Sequence, residues 1–290
     1  MKTVLRLLAL FAIAQLIGAV AALPYFEAGS PFNYMGYGID DLFFIVVGAA
    51  FAVLFMLAII KLYRGDLLFR AMEVVVVTSA TFVVFYGLGT YLGLGEVVAA
   101  GLALAVALAK LAWPNARNIT ATLSSAGVAI MFAMFLSFFE AILFLIIMSI
   151  YDYVAVFVTR HMVTLANEFG RRNMSFSVAA QEKHARISSV TDARGRVRQV
   201  LQEKTERLEL GTGDIALPLA FNLIVLKGML VYGTGPAIAA FILVGVFSAI
   251  ALALVLAYVR INRVFLPALP PILLGTITGY MLGYVSGIIY

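Results

Sequence analysis

Nine apolar stretches run along the chain, and short polar connections separate most of them. A helix needs roughly 20 consecutive apolar residues to cross the hydrocarbon core of a bilayer. The stretches cover approximately residues 4–23, 42–63, 68–90, 96–113, 118–138, 140–159, 212–232, 236–259 and 267–289. This pattern predicts an all-α membrane protein, a polytopic bundle of nine transmembrane helices.

The first apolar stretch also has features of a secretory signal peptide. Lys2 and Arg6 give it a basic start, and the segment Ala19-Val20-Ala21 resembles a cleavage site. The stretch is nevertheless long for a signal peptide. We therefore expect a retained span, with removal of residues 1–23 as the alternative.

The composition supports the membrane interpretation. Hydrophobic residues make up 63% of the chain and charged residues only 12%, whereas soluble domains are about half apolar and a quarter charged. The chain contains no cysteine, which excludes disulfides, a thiolate nucleophile and cysteine-ligated metals.

One long polar segment, residues 160–209, interrupts the apolar pattern and carries ten basic and six acidic residues. It begins as a short helical continuation of span six and becomes rich in Ser, Gly and Arg over "SSVTDARGRVRQ", which is typical of a mobile linker. Its charge suits a solvated loop near anionic lipid headgroups, and it contains no nucleic-acid-binding module. The chain thus divides into spans one to six (1–159), this loop, and spans seven to nine (210–290).

The basic residues predict the orientation. With nine spans, nineteen of the 20 Lys and Arg residues lie on one side of the membrane. The positive-inside rule then places the N-terminus and the 160–209 loop in the cytoplasm and Tyr290 outside. Lys227 is the exception, and we expect it to extend toward the outer interface.

Five further ionisable residues lie within or beside the spans, where a charge is costly and is a candidate for function. Glu73, Lys110 and Glu140 lie near span ends, where they can reach the interface. Asp152 lies in span six and Asp214 near the start of span seven. Because these two antiparallel spans are joined by the cytoplasmic loop, both carboxylates enter the membrane from the same face at comparable depth, and adjacent packing would let them meet.

Two carboxylates a few ångströms apart share one proton and titrate as a unit. Aspartic proteases use this arrangement: one carboxylate takes a proton from water and the other protonates the peptide carbonyl. A proton- or cation-coupled transporter also needs buried acids, so the two residues alone leave both functions open.

Other protease chemistries are disfavoured by the sequence. No H-E-x-x-H segment is present to form that zinc site, and His161 and His184 both lie in the loop, away from any serine in a span. We predict neither a metal nor a cofactor.

Three motifs follow one another in order: Tyr151-Asp152 in span six, Gly211-Thr212-Gly213-Asp214 opening span seven, and Pro267-Ala268-Leu269 opening span nine. This set resembles the presenilin and signal peptide peptidase family of intramembrane aspartyl proteases. The compact size is similar to that of the prokaryotic, chiefly archaeal, presenilin homologues, which implies a prokaryotic plasma membrane. The derived orientation matches presenilins, because signal peptide peptidases are inverted. Prepilin-type peptidases share G-x-G-D but lack Pro-Ala-Leu.

The resemblance implies roles for individual residues. Asp152 and Asp214 would be the catalytic pair, while Tyr151, Gly211 and Gly213 would shape the active site. The segment Pro267, Ala268 and Leu269 would lie beside that site and position the substrate. The implied substrates are transmembrane segments of single-span membrane proteins, or signal peptides.

A helical substrate hides its peptide bonds in internal hydrogen bonds, so it must be unwound before hydrolysis. The segment "ERLEL", residues 206–210, alternates Leu208 and Leu210 with charged neighbours. We predict that it forms a strand that pairs with extended substrate, the alternative being an exposed linker. Proline at Leu208 or Leu210 would then lower cleavage and leave the fold intact.

Overall fold

The computed structural model describes residues 2–26, 39–62, 65–159, 174–191, 197–262 and 266–290. Nine α-helices and one β-hairpin form within this part of the chain. The helices are α1 (Lys2–Phe26), α2 (Ile39–Leu62), α3 (Leu67–Tyr91), α4 (Glu96–Ala112), α5 (Arg117–Phe135), α6 (Phe138–Tyr153), α7 (Thr212–Met229), α8 (Thr234–Asn262) and α9 (Leu269–Val285). Each coincides with one of the predicted apolar stretches.

The helices have the length and composition of membrane spans. Six of them, α1, α3, α5, α6 with the turn that follows it, α7 with its last turn, and α8, are at least 18 residues long and apolar enough to cross a bilayer. Helices α2 and α9 carry shorter apolar runs, Ile45–Ile59 and Leu269–Val285. Because a helix satisfies its backbone hydrogen bonds internally, it can lie in lipid. The fold is therefore that of a helical membrane protein.

Helix α7 lies at the centre of the bundle. It is buried on nearly all sides, as expected of a helix that is apolar all round, and α1, α5, α6, α8 and α9 pack against it. A hydrogen bond between two side chains crosses this core, since Asn222 Nδ2 donates to Gln15 Oε1 of α1 at 2.9 Å. Leu7 and Phe11 of α1 are fully enclosed, so the first apolar stretch is an integral part of the packed core.

Glycines allow the closest helix crossings. A Cβ at Gly127 of α5 would overlap the Ala80 carbonyl oxygen of α3, and one at Gly87 of α3 would overlap the Ala21 carbonyl oxygen of α1. At Gly275 of α9, a Cβ would lie 2.7 Å from a carbonyl oxygen of α8. Backbones thus meet where the side chain is absent, as is common between membrane helices.

We expect Gly127→Ala to destabilise the protein by about 3 kcal/mol, because backbone of α3 must move to admit the methyl group. Gly101→Ala is the matched control, since a Cβ there meets open space and alanine favours a helix. Thermal unfolding in detergent, followed by circular dichroism, measures both. Equal unfolding temperatures for the two variants would contradict the close α3–α5 crossing.

The loop between spans six and seven contains an antiparallel hairpin. Strand β1 (Ser177–Thr191) pairs with β2 (Val197–Gly211), in a register that places Ser177 opposite Gly211 and Thr191 opposite Val197. The expectation of a mobile linker is therefore wrong for residues 188–191 and 197–199, because each strand satisfies backbone groups of the other. The predicted helical continuation over 160–173 lies outside the described residues.

Glu73 and Lys110 do not reach the interface as predicted. Both are buried, with 2% and 6% of their surface exposed, and they form an ion pair between α3 and α4. Glu73 Oε1 also accepts a hydrogen bond of 2.6 Å from the Ser175 N–H. A paired, hydrogen-bonded carboxylate tolerates burial that an isolated one does not, and here it anchors the chain just before β1.

Two other charged groups at helix ends have local partners. Glu140 is buried rather than interfacial, because its carboxylate accepts the Ser137 N–H at 2.8 Å in a capping box at the start of α6. The Lys227 ammonium lies 5.7 Å from the centre of the Phe26 ring, a cation–π contact between the ends of α7 and α1.

Candidate active site

Asp152 lies in the last turn of α6 and is 5% exposed. Its Oδ2 accepts a hydrogen bond of 3.2 Å from the Leu269 N–H, and the Ala268 N–H also donates to this carboxylate. These donors belong to the first turn of α9, where N–H groups lack partners within the helix. Ala268 and Leu269 of the Pro267-Ala268-Leu269 segment therefore lie directly against Asp152.

A π-helical turn, Val154–Val158, follows Asp152. Such turns interrupt the regular hydrogen bonding of a helix and occur frequently at functional sites. Tyr151 precedes Asp152, is partly exposed, and interacts electrostatically with it. The end of α6 thus combines a buried carboxylate with an irregular backbone.

Asp214 is the third residue of α7, after the N-cap Gly211. Its carboxylate accepts a hydrogen bond from the Gly211 N–H, at the helix end that favours negative charge. A Cβ at Gly211 would lie 3.2 Å from Asp214 Oδ2, so a larger residue would crowd the carboxylate, whereas a Cβ at Gly213 would meet nothing within 4 Å. Lack of space for a Cβ therefore explains the glycine at residue 211 but not the glycine at residue 213.

The two carboxylates come together. Asp152 and Asp214 interact electrostatically across the contact between α6 and α7. Asp152 is buried, while Asp214 is partly exposed. One carboxylate is held by α9 and the second by Gly211, and two interacting acids can serve as proton donor and acceptor in general acid–base chemistry.

The other predicted substrate-positioning residues gather beside this pair. Pro267 and Leu269 are buried, and Leu210 is 2% exposed. Leu208 and Ala268 pack against the same apolar cluster as Leu210. The side chains of Leu208 and Leu210 therefore face the helices.

Three hydrogen bonds determine which edge each backbone group of the hairpin faces. The Ala179 N–H donates outward to Asn118 Oδ1, and the Ser177 carbonyl accepts outward from Arg117 Nε. The Thr212 N–H, in contrast, donates to the Phe176 carbonyl across the hairpin. Since antiparallel pairs alternate, the pairs 178·210 and 180·208 are the hydrogen-bonded ones.

The backbone groups of Leu208 and Leu210 accordingly face β1, while those of residues 207, 209 and 211 face the opposite edge of β2. The prediction that residues 206–210 form a strand is confirmed. Proline at Leu208 or Leu210 would also remove a hydrogen bond of the hairpin, so these two variants would not test substrate pairing alone. On the opposite edge the Gly211 N–H reaches Asp214, so this edge leads directly to the carboxylate.

Comparison with known proteins identifies the family of this chain. Residues 8–289 match the family model described as "Signal-peptide peptidase, presenilin aspartyl protease". The chain belongs to this family. A search of curated proteins finds no match.

Solved structures show that the fold of this presenilin-family protein has precedents. A presenilin family intramembrane aspartate protease in a C222 crystal form is 21% identical, with a TM-score of 0.63, covering 98% of this chain and 99% of that one. A second such protease, in a P2 crystal form, is 20% identical, with a TM-score of 0.61 and 96% of each chain covered.

Family membership decides between the two functions that the acidic residues left open. This presenilin-family protein is an intramembrane aspartyl endopeptidase, and the transporter alternative loses its support. Within the described residues, no group of three or more His, Asp or Glu side chains is placed to hold a metal ion.

Two residues near the hairpin were not singled out from the sequence as site candidates. Arg117 was counted only as a basic residue on the cytoplasmic side, and Asn118 was not considered. Both begin α5 and bond to β1. Nothing in their sequence context indicates this, since β1 lies about 60 residues further along the chain.

Proposed function

We propose that Asp152 and Asp214 are the catalytic residues of this protease and hydrolyse peptide bonds within or near transmembrane helices. The observation that carries the proposal is that the helices bearing the two carboxylates pack together, so that Asp152 and Asp214 interact electrostatically. Each is held from outside the pair, Asp152 by the start of α9 and Asp214 by Gly211.

The chemistry follows from one shared proton. The ionised carboxylate takes a proton from a water molecule while the oxygen of that water attacks the peptide carbonyl carbon. The protonated carboxyl group donates its proton to the carbonyl oxygen. In the second step the proton gained from water passes to the amide nitrogen, the C–N bond breaks, and the hydroxyl proton of the intermediate returns to the pair. The proposed mechanism consumes one water and leaves both aspartates as they began, without a cofactor.

The proposed topology has nine membrane crossings, with the N-terminus and residues 160–209 in the cytoplasm and Tyr290 outside. The bounds of the nine helices and the one-sided distribution of basic residues support it. The catalytic residues then lie in two membrane units, Asp152 in residues 1–159 and Asp214 in residues 210–290. A prokaryotic plasma membrane is the proposed location.

The proposed substrates are transmembrane segments of single-span proteins, or signal peptides. An unwound substrate must find partners for its exposed backbone groups, and a sheet edge supplies them. We assign this role to the edge of β2 opposite β1, toward which the backbone of Glu209 points. This edge continues to Gly211 and Asp214, so a strand added there would bring its peptide bonds toward the pair. Pro267, Ala268 and Leu269 would border the same substrate.

A cleavage assay tests the proposed function. Purified protein in detergent is incubated with a labelled single-span substrate, and fragments are identified by mass spectrometry. Fragments that depend on Asp214 support the proposal. Absence of fragments, together with Asp-dependent proton flux in liposomes, would favour the transporter instead.

Proline at residue 209 tests whether the substrate pairs with the edge of β2 opposite β1. We expect Glu209→Pro to cleave a helical substrate about tenfold more slowly than Glu209→Ala, because proline removes an N–H worth roughly one hydrogen bond. Both variants lose the carboxylate, and proline is tolerated where an N–H faces outward. The measurement is the initial rate of fragment formation. Equal rates for the two variants would contradict substrate pairing at this edge.

A further inference from the structure

The first turn of α5 holds the outer edge of β1. Asn118 Nδ2 donates to the Ala179 carbonyl at 2.8 Å, and the Ala179 N–H donates to Asn118 Oδ1 at 2.9 Å. One side-chain amide thus makes both bonds that a neighbouring strand would make at this residue. Asn118 thereby satisfies the outward backbone groups of Ala179, so an added strand could not pair with β1 at this residue.

Arg117 joins both strands. Its guanidinium donates to the Ser177 carbonyl at 3.1 Å and to the Ser177 hydroxyl, and it pairs with Glu209 Oε2 at 3.3 Å. The Ser177 hydroxyl in turn donates to the same Glu209 oxygen at 3.0 Å. Arg117 is 4% exposed, so these charge-assisted bonds are shielded from water and are stronger than neutral ones.

These contacts tie the base of the hairpin to α5, which is a neighbour of the helix that carries Asp214, α7. Helix α5 packs along α7, and Glu209 lies only five residues before Asp214. Two residues of strand span roughly 7 Å. Slippage of β1 and β2 relative to α5 would therefore change which substrate bond faces the carboxylates.

We propose that Arg117 and Asn118 are positioning residues that fix the hairpin relative to the aspartate pair and so select which peptide bond is cut. The proposal rests on the proposed function, because it assumes substrate addition at β2. Neither residue touches the reacting atoms. Their effect passes through Ser177, Ala179 and Glu209.

A positioning role has a signature that a purely structural role lacks. Loosening the contact misplaces bound substrate relative to the reacting groups, which lowers kcat more than it raises KM. It also permits registers displaced by two residues, since a shift of one residue would exchange the two faces of the strand. New fragments displaced by two residues should therefore appear beside the main product.

The test compares Asn118→Ala with Asn115→Ala in the full-length protein. Asn115 is exposed, just before α5, and serves as the matched control. We expect Asn118→Ala to lower kcat about tenfold, the equivalent of roughly one to two hydrogen bonds, and to add displaced fragments, with the unfolding temperature nearly unchanged. Asn115→Ala should match wild type. Wild-type kcat and a single cleavage position for Asn118→Ala would overturn the proposal.

Ala179→Pro provides an independent variant, since it removes the outward N–H that Asn118 accepts while leaving hydrogen bonds between the strands in place. Because both variants break the same contact, the double variant should lose no more kcat than the more impaired single variant. Additive losses would overturn the proposal.

Asp214→Asn in the same assay distinguishes failure of the proposed function from failure of the positioning role. Cleavage by Asp214→Asn would defeat the proposed function. Asp-dependent cleavage in which Asn118→Ala and Asn115→Ala behave alike would defeat only the positioning role.

Discussion

Asn at either Asp152 or Asp214 is expected to reduce cleavage of a single-span substrate by about 10³-fold or more, the range that general acid–base groups contribute. Asn matches Asp in shape but can neither take nor release the proton that hydrolysis moves. At Asp152, the amide oxygen of Asn can still accept the Leu269 N–H, so the start of α9 should stay in place. Quantified fragment formation measures the loss.

The control for this pair is Asp66→Asn. Asp66 is exposed at the start of α3, and its substitution should leave cleavage unchanged. The double variant Asp152→Asn/Asp214→Asn should be no slower than the singles, because residues that act as a unit are not additive. Normal cleavage by either single variant would show that the catalytic assignment is wrong.

Glu73→Gln is expected to destabilise the protein by about 3–5 kcal/mol, because it leaves Lys110 buried and without its counter-charge. The glutamine fills the same space and can still accept the Ser175 N–H, so the loss reports the charge. Adding Lys110→Met removes the stranded cation, and the double variant should recover most of the stability. Denaturant titration in detergent measures all three proteins.

A stable Glu73→Gln protein would show that the ion pair is not needed for stability. A double variant no more stable than the single would show that the loss does not come from the unpaired Lys110 charge. Because the glutamine keeps the bond to the Ser175 N–H directly before β1, cleavage by the remaining folded protein should match wild type.

The helices were predictable because each depends on a local property. A run of about 20 apolar residues has no stable alternative to a helix in lipid, and the nine predicted stretches coincide with helices. The aspartates were singled out for a similar reason, since an acid within an apolar span is rare and costly. Chain direction alone predicts that Asp152 and Asp214 enter the membrane from the same face at comparable depth.

The hairpin was predicted only in part. Alternation over residues 206–210 indicated a strand, but its partner, residues 177–191, has a composition that also suits a linker. Strand pairing depends on a neighbour distant in sequence, so composition within one segment does not determine it. The inward-facing backbone of Leu208 and Leu210 followed only from the contacts of Asn118, Arg117 and Thr212.

The sequence by itself determined what is local: the apolar helices, and two acids with the Gly and Pro-Ala-Leu motifs around them. Tertiary structure alone decided the partners. Leu269 bonds Asp152, Glu73 pairs with Lys110, and Asn118 bonds Ala179, each joining segments far apart in the chain. The physical reason is that burial makes a polar group require a partner, but only packing decides which group supplies it.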